Sequence, residues 1–104
     1  MSPLEKELGT ALLDLYEKWK RHMPAKNRFL GMVRPGNPKT YKGPVGTVQY
    51  LLSGGVSAGF QDLVHANALE LTVEWLVLHP KWLPLFTDEE LDIARARVRV
   101  ALPD

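Results

Sequence analysis

Leu4, Leu8, Leu12, Leu15 and Trp19 recur at spacings of four, four, three and four residues. Only a helix gathers that period into one apolar face, because side chains three and four apart lie above one another. The start of the helix is marked as well. Ser2 can cap, Pro3 suits the first helical position, and Glu5 stands where a capping box puts its carboxylate. Asp14/Lys18 and Glu17/Arg21 are acid-first i,i+4 pairs on the wet side. Pro24 ends the helix near His22, since the residue before proline is pushed out of the α region.

The same punctuation divides the rest. A short second helix is expected over about 25–34, with Phe29, Leu30 and Val33 inward and Lys26, Arg28 and Arg34 outward, until Pro35-Gly36 stops it. The stretch Pro35–Gly46 holds three prolines, three glycines and two lysines, and reads as a loop. Pro44 opens a third helix through Leu52, although Thr47-Val48-Gln49-Tyr50 also has strand propensity. Ser53-Gly54-Gly55 stops it, and Ser57 caps a fourth helix to about Asn67. A fifth helix is expected from about Glu70 to His79, nearly all apolar and therefore the most buried. In the last, Thr87 and Glu90 form a capping box, Phe86 and Leu91 have staple spacing, and acids precede Arg95, Arg97 and Arg99 as the helix dipole favours. The expectation is an all-α fold: one domain over 1–104, a single compact bundle of about five or six short helices.

Composition closes off several classes of function. No cysteine is present, so disulfides, thiolate metal sites and cysteine nucleophiles are excluded. No apolar run reaches the roughly 18–20 residues of a membrane span, and no basic region precedes an apolar block at the start. A cytoplasmic location without membrane association is the expectation. Charge is unevenly spread. Residues 1–50 carry nine Lys/Arg against four Asp/Glu, residues 51–104 carry four against eight, and from Lys18 to Lys42 there are eight basic residues and no acid.

The segment 56–99 resembles a helical module found in small bacterial proteins of no established activity. The likeness is carried by Gly59-Phe60-Gln61-Asp62-Leu63, by Leu69 through Trp82, by Leu85 through Leu91, and by Ala94-Arg95-Ala96-Arg97. It implies a bacterial, helical, cytoplasmic protein, and it carries over no functional residue. The Pro35–Gly43 loop is longer than that resemblance leads one to expect.

Two chemical motifs compete with bland roles. Gly55-Val56-Ser57-Ala58-Gly59 matches the serine-hydrolase elbow, with Asp62, His65 and His79 following in triad order. The elbow needs a parallel sheet behind its serine, which the single candidate strand at Thr47–Tyr50 cannot build, so Ser57 stands as a remote hydrolase candidate and more simply as a helix cap. His22, His65 and His79 sit on separate segments, short of the three or four ligands of a zinc site, so no metal and no cofactor is expected. A helix-turn-helix across Ser53-Gly54-Gly55 is disfavoured because its reading helix would carry Asp62 and neither Lys nor Arg.

What remains is a non-enzymatic binding module. Lys20, Arg21, Lys26, Arg28, Arg34, Lys39 and Lys42 are the candidate phosphate contacts to DNA or RNA, with Tyr41 as a base-stacking aromatic. The loop's backbone amides, ahead of a helix start, would add an anion cradle. This reading needs the cations to converge on one outward surface, free of acids from the C-terminal half. The alternative is a protein partner or homodimer held by an exposed apolar turn, Trp82, Leu83, Leu85 and Phe86.

Overall fold

The computed structural model describes residues 1–102, and among them it contains only helices and their connections. Six α-helices run as α1 (Pro3–Trp19), α2 (Asn27–Val33), α3 (Gly43–Ser53), α4 (Ala58–His65), α5 (Val73–Val77) and α6 (Asp88–Ala101). Two 3-10 segments, Leu69–Leu71 and Pro80–Leu85, flank α5. The chain is all-α, and Thr47–Tyr50 is helical, because the third helix packs between α1, α2 and α6 and burial overrides strand propensity. The Cα radius of gyration is 13.0 Å, the value of a single closed domain of this length.

Helix starts follow the capping residues. Ser2 and Thr87 both form complete capping boxes with Glu5 and Glu90. Ser57 Oγ accepts the Phe60 amide at 3.1 Å and caps α4. The last turn of α4 closes in a Schellman motif: Ala68 N–H donates to Leu63 O and Asn67 N–H to Val64 O. Asn67 takes the left-handed conformation, φ 58°, that this motif needs at its turning residue.

The core is centred on α1, where Leu8 and Leu12 are fully buried and Leu15, Tyr16 and Trp19 nearly so. Each such leucine contributes about 1.5–3 kcal/mol relative to exposure. α1 approaches α3 closely at Gly9, where a Cβ would lie 3.0 Å from the Pro44 ring. At the far end of α1, Trp19 packs against Phe29 with centroids 4.7 Å apart, and its indole N–H donates to Leu71 O at 2.6 Å. One side chain therefore ties α1 to α2 and to the first 3-10 segment.

The structure corrects three expectations. The fifth helix is five residues long rather than ten. Thr72 is extended and caps it from within the expected span, its Oγ1 accepting the Trp75 amide at 3.1 Å. That helix is not the most buried, because Trp75 is 43% exposed while Val73 and Val77 face the core. Neither Asp14/Lys18 nor Glu17/Arg21 is an ion pair among the described residues. α1 stops at Trp19, and Glu17 instead meets Lys20 at 2.8 Å.

Candidate functional site

α3 begins at a glycine that the turn requires. Gly43 has φ +78°, which a side chain would strain, and Pro44 follows it as a helix starter. Lys42 is the residue before this helix, and Gly46 and Tyr50 follow it at steps of four. Those three positions stack on one face. Lys42 lies along that face, with its ammonium 4.8 Å from the centre of the Tyr50 ring. It can do so because Gly46 has no side chain: a Cβ there would sit 3.2 Å from the Lys42 Cβ. From α2, Arg28 brings its guanidinium carbon to 5.2 Å from the same ring and donates a hydrogen bond to the Tyr50 hydroxyl. A cation from α2 and one from the residue that precedes α3 therefore meet at one exposed aromatic. Both distances are within the roughly 6 Å range of a cation–π contact.

The other cations fall into distinct surroundings. Lys26 is half-buried and faces Asp62 at 3.9 Å, and among the described residues this is the one ion pair joining the Lys18–Lys42 group to an acid of the C-terminal half. Lys20 is paired with Glu17 of its own helix, whose hydrogen bond and charge hold the ammonium above the ordinary lysine value, against an opposing contribution from nearby Arg34. Lys20 also lies over the Tyr16 ring at 5.6 Å. Lys18, Arg21, Arg28, Arg34, Lys39 and Lys42 are exposed, with no ion pair among the described residues. The structure brings Arg28 and Lys42 together at Tyr50 and puts Lys26 with Arg28 along one cleft.

The loop Pro35–Lys42 is held by its own hydrogen bonds and by α2. The Thr40 and Tyr41 amides both donate to Asn37 O at 3.0 Å, the Lys39 amide to Asn37 Oδ1 at 3.0 Å, and the Lys42 amide to Met32 O at 2.9 Å. The four amides from Lys39 to Lys42 are thus each engaged within the protein. Tyr41 is half-buried, its hydroxyl 3.5 Å from the position a Gly43 Cβ would take. The exposed aromatic among the cations is Tyr50, not Tyr41. The signal for it was in the sequence: Lys42 and Tyr50 are eight residues apart with glycine midway.

The remaining candidates are structural. Trp82 and Phe86 are 5% and 8% exposed, and Leu83 and Leu85 pack against the same core. The Trp82–Phe86 turn is thus a lid on the core, which takes its two aromatics away from any partner. Ser57 is occupied as the cap of α4, and no strand precedes it among the described residues, so the elbow setting is absent. His79 caps the second 3-10 segment through Nδ1, which accepts the Lys81 amide at 3.1 Å. Among the described residues no group of three or more His, Asp or Glu side chains could hold a metal ion.

A cleft of about 490 Å3 opens beside the Arg28–Tyr50 contact. Its walls come from Trp19, Met23, Phe29, Met32, Phe60 and Leu63, and Lys26, Arg28 and Tyr50 lie along it. Glu74 reaches it from α5 and is itself 5% exposed. Its carboxylate is held at 3.1 Å by Arg97 of α6. The same guanidinium donates to Leu51 O at 3.1 Å, to Leu52 O at 3.3 Å and to Gly54 O. These carbonyls belong to the C-terminal end of α3, whose cap residue Gly54 is extended rather than left-handed. Arg97 thus replaces the missing backbone cap.

No family model, curated protein or solved structure gives a significant match to the chain. The fold defines a small all-α domain in which no described helix is long and apolar enough to cross a membrane.

Proposed function

We propose that this domain is a non-enzymatic binding module for nucleic acid, engaging the phosphate backbone through the surface around Arg28, Tyr50 and Lys42. The observation that carries the reading is the meeting of those two unpaired cations at one exposed aromatic ring. Lysine and arginine neutralise phosphates without regard to sequence. An exposed tyrosine between them can stack on an unpaired base, an arrangement suited to a single strand. Lys39, in the loop that leads to Lys42, and Arg34, at the end of α2, are exposed and are further candidate contacts. Lys20 and Lys26 contribute less, because each is already paired with an acid. A bacterial, cytoplasmic setting, as the resemblance of 56–99 implies, is part of the same proposal.

The test is anisotropy of a labelled oligothymidylate, with a duplex of mixed sequence for comparison. Lys42→Glu and Arg28→Glu should each weaken binding at least ten-fold, while Lys81→Glu, outside the basic region, should leave it unchanged. Tyr50→Ala should weaken the single strand more than the duplex. Equal losses from Lys81→Glu and Lys42→Glu would mean non-specific attraction, and would refute the assignment of this surface.

A further inference from the structure

We infer that the cleft bounded by α2 and α4 is a binding site for a small apolar acid, whose hydrophobic body lies against Trp19, Phe29, Phe60 and Leu63 and whose carboxylate meets Arg28. The inference shares Arg28 with the nucleic-acid reading but rests on the cavity itself. A volume of about 490 Å3 falls within the roughly 300–1,000 Å3 of small-molecule sites. What sets it apart is the joining of aromatic and methionine walls with the unpaired Arg28. Its aromatic and methionine walls are poorly served by water, which an apolar body would displace. Met23 and Met32 add side chains able to adjust to an occupant.

Charge sets the class of ligand. Arg28 uses one nitrogen on the Tyr50 hydroxyl, which leaves further donors of its five for a carboxylate. Lys26 lines the cleft too, but its charge is offset by Asp62 at 3.9 Å. The carboxylate that reaches the cleft, Glu74, is neutralised by Arg97. The lining therefore presents one unpaired cation, Arg28, beside two compensated pairs, which favours an acid over an amine of the same shape.

Calorimetric titration with 2-naphthoate and with its neutral isostere 2-naphthamide tests this. Saturable binding of the acid, at least ten-fold tighter than the amide, is expected. Arg28→Gln should reduce that preference to less than three-fold. Gly59→Leu should abolish binding of both. A Cβ at Gly59 would lie 3.7 Å from the Met23 and Lys26 side chains, in ordinary contact, so a leucine there enters the cleft without a clash at its base. Leucine is also the better helix former, so Gly59→Leu should melt no lower than the parent, and lost binding would then not reflect unfolding. Equal affinity for acid and amide, wild-type binding by Gly59→Leu, or no saturation up to the solubility limit would each overturn the inference.

Discussion

Arg97 and Glu74 meet at 3.1 Å with side chains only 10% and 6% exposed, joining α6 to α5 where α3 ends. Burying an ion pair is costly, and the geometry recovers that cost only because the guanidinium also takes three carbonyls of α3. Removing the arginine leaves both a buried carboxylate and orphaned carbonyls. Arg97→Met should therefore lower stability by about 3–5 kcal/mol, a large share of the roughly 5–15 kcal/mol typical of a domain. Arg97→Lys should rescue little, since an ammonium lacks the planar fork that spans these acceptors. Urea unfolding midpoints measure both. A near-normal midpoint for Arg97→Met would show that the pair is not the clamp described here.

The contact between Gly9 and Pro44 gives a prediction of opposite sign to helix propensity. Alanine is the better helix former by about 1 kcal/mol, yet its Cβ would stand 3.0 Å from the Pro44 ring, where α1 and α3 approach. Forcing the helices apart costs about 1–3 kcal/mol. Gly9→Ala should thus lower the melting temperature. A rise would place the two helices farther apart than the structure does.

Asn67 closes α4 with φ 58°. Asn67→Ala should cost about 1 kcal/mol, because alanine lacks the tolerance of asparagine for the left-handed region. Asn67→Gly should be neutral or stabilising. Thermal denaturation of the two variants gives the comparison, and equal stabilities would contradict the capping role.

The caps and breaks of this fold were legible in the sequence because they are local. Ser2, Ser57 and Thr87 act within three residues of themselves, and each caps the helix it was expected to cap. The fifth helix is shorter than its apolar run because continuous apolar character records burial without direction. Thr72, inside the run, ended one segment and capped the next, leaving Trp75 outside. The sequence places Arg97 where a helix dipole favours a cation, whereas its partners lie 23 to 46 residues away. The basic run was visible as composition, but composition does not choose between Tyr41 and Tyr50. That choice depends on α2 bringing Arg28 across to α3.

The central claim is that free cations around Tyr50 neutralise phosphates, and salt dependence tests it most directly. Affinity for a single-stranded oligonucleotide should be measured across salt concentrations for the parent and for Lys42→Gln. With four or five phosphates neutralised, the log–log slope should be about −3 for the parent, and shallower by up to about 1 for the variant. Affinity that stays constant from low to high salt, or an identical slope for both proteins, would contradict it.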